Sequence, residues 1–572
     1  MSKEKKVNLS RRDFMKGAAL ATSAGVLAGC APKISASETP EAAVVTGSDV
    51  LTAEIASRKW SFEIAPDPIP DSDIANNVES EIIVVGAGTA GLCVACSAVE
   101  NGAKVVLISA SKEPVSRGGS NHAVYSKIME REGYERYDPN VFLRKEMMAA
   151  SYNIDQDKWW KFVNNSEEAM NWVVDKVEAA GYQCVLEGGY TDPGNEIMNM
   201  PTGAHAWIGE DYQTAGGGQP LLVKTLAKVA AEKGVEIVYS MCAKQLIRED
   251  NNTGRVSAVV AQAADGTYTK YVGTKAIVLA TGDFSADKEM MAKYCPSVVD
   301  TLFDIQEVNY DIGLSIGGLF KGDGQKMGLW VGAAWQKTFP NCPMMLASCG
   351  PSPYDYSTHP GLMVNKNGYR FMNEDSLFAL TANAQLHQPG KAIFAIWDSN
   401  YAEATKPWHK QGQVRGADPI DPAEIAAGWE TDVTNGSKVK GNTIEEVINQ
   451  LGLPLEKTLA TINHYNNLCA AGVDSDYHKR AERLAPITQA PFYGAKSESP
   501  VFLTVLGGLR TNVNMQVCDA NDDPIPGLYN VGTMVGDYYA NLYNFVVEGN
   551  NYGANCITFG YMTGKGLAKG EI

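Results

Sequence analysis

Along this chain the apolar positions fall into short blocks separated by glycine-rich turns. The first block that reads as folded structure is Glu81 to Val85, a short apolar run that suits a buried parallel strand. An alanine-rich stretch from Leu92 to Asn101 predicts a helix, and Lys104 to Ile108 predicts a second strand. Residues 234–284 alternate as a small meander of strands, with a turn at Asn251-Asn252-Thr253-Gly254. The meander ends in a second buried run, Ile277 to Ala280, closed by Thr281-Gly282-Asp283-Phe284. Near the C-terminus Pro524 to Gly532 reads as a turn feeding another strand, and Gly553 to Leu567 reads as a helix. Three strand-glycine elements, distant in sequence, are expected to converge on one ligand.

The ligand class follows from the turn after the first strand, Gly86-Ala87-Gly88-Thr89-Ala90-Gly91. Gly86 permits the tight turn, Gly88 lets the backbone approach phosphates, and Gly91 allows close helix packing. The helix N-terminus then faces the negative charge of a pyrophosphate. A strand before the glycines, a helix after them and a further strand make this a dinucleotide site, and so a redox cofactor is expected. The acid that would hold the ribose hydroxyls belongs at the end of the second strand. Ser109 stands there instead, with Glu113 or a backbone group as the expected compensation.

The leader adds a location. Ser10-Arg11-Arg12-Asp13-Phe14-Met15-Lys16 precedes an apolar run from Gly17 to Leu27, the pattern of a twin-arginine export signal. That run is too short for a mature membrane span. Leu27-Ala28-Gly29-Cys30 is similar to a lipoprotein processing box, with Cys30 as the residue that would carry lipid. An extracytoplasmic protein, in the periplasm or on the outer face of the cell membrane, is expected. Residues 31–78, rich in Ala, Ser, Pro and acids, read as a linker.

At 572 residues and 45% hydrophobic content the chain can bury more than one core, and two domains are expected. A net charge of −17 argues against nucleic acid as a partner. Of eleven cysteines, the close pair Cys93 and Cys96 falls on the predicted helix and reads as packing, because a metal site needs a second pair at matching spacing. No metal is expected. Cys342 and Cys349 are open as a disulfide in an exported protein.

Five segments together resemble one flavoprotein family, that of soluble fumarate reductases, urocanate reductases and 3-ketosteroid dehydrogenases. They are GAGTAG, the meander ending in ATGDF, Gly322-Asp323-Gly324, Gly361 to Asn365 leading into Arg370-Phe371-Met372-Asn373-Glu374, and IPGLYNVG. The resemblance runs from about residue 80 to the C-terminus. It implies an α/β fold, a Rossmann-like FAD-binding domain at 79–335 and 504–572 interrupted by an α+β capping domain at 336–503, after a signal at 1–30. It further implies that FAD lies between the two and contacts Ala87, Ala90, the loop Gly118-Gly119-Ser120-Asn121, Ala243, Thr281, Gly282, Asp323, Gly532 and Thr533. The family has asparagine where Ser120 stands, and glutamate where Ser109 and Thr533 stand. His122 lies near the place where some relatives attach FAD covalently without aligning to it, so non-covalent binding is implied.

The resemblance fails where fumarate reducers carry their cations. Phe378 occupies the proton-donor place, Thr504 replaces a clamping histidine, and the late arginine falls near Val547. Desolvating two carboxylates without cationic partners costs several kcal/mol each, so a small dicarboxylate is not the expected substrate. Tyrosines are present instead: Tyr354 and Tyr356, then Tyr538, Tyr539 and Tyr543. They supply flat apolar walls and hydroxyl donors, and the ketosteroid dehydrogenases are similar in using tyrosines around the flavin. The expected catalytic residues are therefore Tyr354, Tyr356, Tyr539 and Tyr543, with His122 as a second acid. His205 is open between lining the substrate space and capping a loop, and Arg370 is expected to pair within the cap.

The expected activity is reduction of an activated C=C bond, conjugated to a carbonyl or carboxylate, on a bulky aromatic or steroid-like substrate. Electrons would come from an external donor such as a c-type cytochrome or a membrane quinol-linked protein. The alternatives are a ketosteroid-type dehydrogenase running oxidatively and a flavin electron relay without turnover.

Overall fold

The computed structural model describes residues 60–572, except 188–201, 211–217, 302–319, 348, 352–360 and 405–420. The export signal with Cys30, most of the expected linker, Tyr354 and Tyr356 lie outside the described residues. The linker ends earlier than residue 78. Phe62 is buried against Phe284 and Tyr294, because Trp330 Nε1 donates to the Phe62 carbonyl at 2.8 Å and fixes the segment there.

Strand β1 (Ile74–Val85) begins seven residues before the expected run, and its last four residues are buried. Helix α1 (Thr89–Glu100) and β2 (Val105–Ile108) complete the first βαβ unit, with Ile82 to Val85 paired in parallel to Val105 to Ile108. Burying side chains such as Ile82, Ile83 and Val84 contributes roughly 1.5–3 kcal/mol each. Cys93 and Cys96 are buried within α1, as packing requires. Helices α2 (Pro139–Ala149), α3 (Gln156–Ala179) and α4 (Gln219–Glu232) follow, then β3 (Glu236–Val238). The predicted meander is β4 (Met241–Arg248), β5 (Val256–Ala263) and β6 (Tyr268–Leu279).

After α5 (Asp323–Trp330), β7 (Cys342–Leu346) leads into a second layer. This layer holds β8 (Leu362–Asn365), helix α6 (Phe378–Leu386), β9 (Ile393–Asp398), β10 (Lys438–Gly441) and β11 (Phe492–Ser497), before the chain returns along β12 (Val501–Leu506). Strands β8, β9, β11 and β10, in that order, form one antiparallel sheet. Strands β7 and β12 pair with each other, so the outgoing and returning chain run side by side. Arg370 pairs with Glu374 and Asp474 at 2.7 Å within this layer, as expected. Cys342 and Cys349 do not form a disulfide. Both are free and buried, Cys342 at the head of β7 and Cys349 bonded to the carbonyls of Ile393 and Ala495.

The chain closes with β13 (Gln516–Cys518), β14 (Pro524–Asn530), a π-helical turn at Asn551–Thr558 and helix α7 (Phe559–Lys569). The main sheet then reads β13-β14-β6-β1-β2-β3. Strand β1 is flanked by β2 on one side and β6 on the other, both parallel to it. This reversal of strand order opens a crevice beyond the C-terminal ends of β1 and β6, the place where open α/β sheets bind ligands.

Candidate functional site

A cavity of about 510 Å³ lies at that crevice, within the size range of cofactor sites. All of the residues expected to hold the cofactor line it except Gly91 and Asn121. Gly91 acts from behind: a Cβ there would stand 2.0 Å from the Gly86 carbonyl oxygen, so the turn closes only on glycine. Gly86 itself has φ +119°, and its N–H donates to the Ile108 carbonyl at 2.8 Å. At Gly88 the missing Cβ opens toward the Val115 carbonyl 3.6 Å away, and no side chain caps α1. The uncapped helix N-terminus faces the cavity, ready for an anion.

Ser109 lines the cavity where the ribose acid was expected. Its hydroxyl lies 2.8 Å from that of Ser111, which donates to the backbone carbonyl of Glu113 at 2.7 Å. Two linked serine hydroxyls thus stand on the cavity wall at the place expected for the acid, and Glu113 does not line the cavity. Asn121 is also behind the wall, donating to Gln219 Oε1 at 2.9 Å and to the His205 carbonyl at 3.2 Å. It ties the Gly118 to Ser120 loop to α4.

His122 is not the second acid. It is buried, does not line the cavity, and its ring nitrogens meet the Glu548 carbonyl at 3.1 Å and the Tyr137 hydroxyl at 3.4 Å. Burial, aided by neighbouring His205, pushes its pKa down to about 3, so no imidazolium is present near neutral pH. His205 is a loop anchor: buried, bonded to Ser126 Oγ at 2.7 Å and facing the Asn121 carbonyl at 3.1 Å.

The tyrosines are set by α3. Lys158 Nζ donates to the Gly536 carbonyl and Trp159 Nε1 to the Tyr538 carbonyl, both at 2.8 Å, and Trp159 stacks on Tyr538 at 4.6 Å. From there an aromatic ladder climbs to the cavity. Tyr538 meets Tyr539 edge to face at 4.9 Å, Tyr539 meets Tyr543 at 5.0 Å, Tyr543 meets Phe545 at 4.5 Å, and Phe545 packs on Phe378 of α6 at 4.7 Å. Of these, Tyr543 and Phe545 line the cavity. Tyr539 does not reach it, and its hydroxyl is buried without a hydrogen-bond partner among the described residues. The Tyr543 hydroxyl donates to the Val547 carbonyl at 3.3 Å and accepts from the Asn550 N–H at 3.1 Å. Its proton is committed to backbone, so Tyr543 serves as wall and not as the expected free donor. Burial pushes the pKa of Tyr538, Tyr539 and Tyr543 up.

Several groups escaped the sequence reading. Arg117 and Lys321 line the cavity, with Arg117 donating to the Leu503 carbonyl. Asp283 lines it too, accepting from Thr504 Oγ1 and from both the N–H and the hydroxyl of Ser285. Glu146 on α2 is buried behind the ladder, accepts from Asn544 Nδ2 at 3.0 Å, and burial pushes its pKa up to about 7. The π-helical turn contributes Asn551, Tyr552 and Cys556 to the wall. Such turns recur at functional sites, but a polar asparagine run carries no periodic signal that would reveal one.

The cradle fits a dinucleotide flavin: an uncapped helix N-terminus at one end, a serine pair at the ribose place, and an apolar, aromatic chamber at the other end. Comparison with known proteins agrees. Residues 81–544 match the family described as FAD binding domain. A vinyl phenol reductase of Lactiplantibacillus plantarum is 26% identical over 519 residues, covering 86% of this chain and 96% of the relative. A urocanate reductase of Eggerthella lenta is 24% identical, covering 86% of this chain and 74% of the relative. Among solved structures, the 3-ketosteroid-Δ4-(5α)-dehydrogenase of Rhodococcus jostii superposes with a TM-score of 0.66 at 23% identity, covering 88% of this chain and 99% of the other. A flavocytochrome c3 fumarate reductase gives 0.60 at 23% identity, covering 90% and 82%.

Proposed function

This chain belongs to the FAD-binding-domain family and is an FAD-dependent oxidoreductase acting on CH–CH bonds, and from that premise we propose that it reduces a conjugated C=C bond on a flat, aromatic substrate outside the cytoplasm. The observation that carries this reading is the aromatic wall of Tyr543 and Phe545, backed by Phe378 where fumarate reducers place their proton donor. Val547, near which the late clamping arginine of fumarate reducers would fall, is buried and apolar. The cations of the cavity, Arg117 and Lys321, are not those of the fumarate reducers, and Arg117 is engaged with the Leu503 carbonyl and stands beside the Asp283 carboxyl.

FAD, when bound, would supply a hydride to one alkene carbon, and the other carbon takes a proton from an acid or from water, Tyr354 and Tyr356 being the tyrosine candidates that remain. The chain's own residues hold the nucleotide through the helix N-terminus at Gly88 to Ala90, the Ser109–Ser111 pair and the Gly118 to Ser120 loop. The aromatic wall aligns the alkene and excludes water, which strengthens every polar contact inside. Leu346, Met344 and Leu503 complete the apolar lining. Electrons reach the flavin from an external redox protein, a c-type cytochrome or quinol-linked partner, and the twin-arginine leader carries the folded holoprotein to the extracytoplasmic side, where Cys30 is the point of lipid attachment. The segment 336–503 serves as the cap over the site.

The test is anaerobic reoxidation. Purified protein, yellow with FAD and reduced by an artificial donor, is expected to be reoxidised by vinylphenols or other aromatic conjugated alkenes at least a hundredfold faster than by fumarate. Rapid reoxidation by fumarate alone overturns the reading.

A further inference from the structure

One corner of the cavity is built from three elements: the turn after β6 (Asp283), strand β12 (Thr504) and the loop before Gly118 (Arg117). Asp283 is 2% exposed, yet it borders the cavity. Its Oδ1 accepts from the Ser285 N–H at 3.1 Å and from the Ser285 hydroxyl at 2.9 Å, and its Oδ2 accepts from the Thr504 hydroxyl. Burial pushes the Asp283 pKa up from its ordinary value, and the hydrogen bond from Thr504 and then the positive charge of the Arg117 guanidinium, itself tied to the Leu503 carbonyl, oppose that rise and favour the carboxylate.

A threonine hydroxyl has one hydrogen and two lone pairs. With that hydrogen given to Asp283, the half-buried Thr504 oxygen presents a lone pair to whatever occupies the cavity. An occupant that brings its own O–H satisfies it. One that brings a methyl ether leaves it bare, and desolvated polar groups left unpaired are what make such sites selective.

Resting on the reading of this site as an aromatic alkene reductase, we propose that Thr504, oriented by Asp283, accepts a hydrogen bond from a substrate hydroxyl, so that the substrate class is the phenolic alkenes. Thr504 is the specificity residue that touches the substrate, and Asp283 is a positioning residue that acts through it.

Calorimetric titration of the FAD-loaded protein with 4-ethylphenol and 4-ethylanisole tests this without turnover. The wild type is expected to bind the phenol at least tenfold more tightly. Thr504→Val, with flavin content unchanged, is expected to bring the two within twofold, while Thr504→Ser keeps the preference. Asp283→Asn is expected to weaken it, because an amide can donate to Thr504 and release that hydroxyl's hydrogen toward the cavity. In steady state, Thr504→Val should raise KM for 4-vinylphenol tenfold with kcat within threefold. Equal binding of both probes by the wild type, a stronger preference for a carbonyl analogue such as 4-ethylbenzaldehyde, or a preference that survives Thr504→Val overturns the proposal. If the wild type prefers the phenol but turns over no alkene, the reductase reading falls and this one stands; turnover without the preference gives the reverse.

Discussion

Tyr539 and Tyr543 meet edge to face with ring centroids 5.0 Å apart, yet only Tyr543 borders the cavity, and the two hydroxyls have opposite surroundings. The Tyr543 hydroxyl holds two backbone partners, whereas that of Tyr539 is buried with none among the described residues. Replacing each by phenylalanine should separate these states. Tyr543→Phe strands the Asn550 N–H and is expected to cost about 1–3 kcal/mol. Tyr539→Phe removes an unmade hydrogen bond and is expected to leave stability equal or higher. Chemical denaturation of the two variants checks this, and turnover in Tyr539→Phe should stay within twofold of wild type.

Flavin loading depends on the turn at Gly86. A Cβ at Gly91 would lie 2.0 Å from the Gly86 oxygen, and one at Gly86 would lie 2.3 Å from the Ala280 oxygen at a φ of +119°. Gly91→Ala and Gly86→Ala are expected to yield protein with less than a tenth of the wild-type ratio of flavin absorbance to protein. Gly88→Ala, whose Cβ meets only the Val115 oxygen at 3.6 Å, should fold normally and lose affinity through crowding of the phosphates.

Glu146 makes stability depend on pH. Burial pushes its folded pKa up to about 7, above an unfolded value of about 4.3. The native state therefore binds more protons than the unfolded state between those values, and stability falls as pH rises through that window. The loss is on the order of 3 kcal/mol, complete above about pH 8. Glu146→Gln keeps an acceptor for Asn544 and is expected to flatten this slope, which denaturant melts at pH 5 and pH 8 will show.

The buried cluster of the second layer is a stability element. Arg370 donates to both oxygens of Glu374 and to Asp474, and Lys479 Nζ lies 3.4 Å from Glu374. Arg370→Ala leaves buried carboxylates facing a reduced positive charge and is expected to cost about 3–5 kcal/mol. Arg370→Lys loses the forked geometry and should recover little of it. Flavin content in surviving folded protein should be unchanged, since none of these residues lines the cavity.

The cofactor half of the site was legible in the sequence because its requirements are local. Glycines at 86, 88 and 91 act within one turn, and a buried strand on each side identifies the unit. The substrate half was not, because it is made by distant residues meeting. Phe378 and Phe545 are 167 positions apart, Asp283 and Thr504 221, and no periodicity relates them. His122 shows the same limit: its neighbourhood in sequence is the cofactor loop, but the backbone of Ser120 and Gly549 stands between, with a Cβ at Gly549 only 2.3 Å from the Ser120 oxygen. Orientation within a loop depends on what packs behind it, and here that is a turn some 430 residues downstream. Likewise Phe62 looked like part of a tether because Trp60 and Phe62 in an otherwise polar stretch extend into no longer pattern, although the pocket of Phe284 and Tyr294 is well defined.

The pairing of β7 with β12 places Cys342 opposite Leu506, so both ends of the intervening segment sit one strand spacing apart, roughly 5 Å. An insert whose entry and exit are neighbours can be exchanged for another without disturbing the scaffold that receives it. A chimera that transplants only residues 343–505 between relatives would therefore exchange Met344, Leu346, Leu503 and Thr504 of the cavity wall while leaving Tyr543, Phe545, Asp283 and the glycine turn in place.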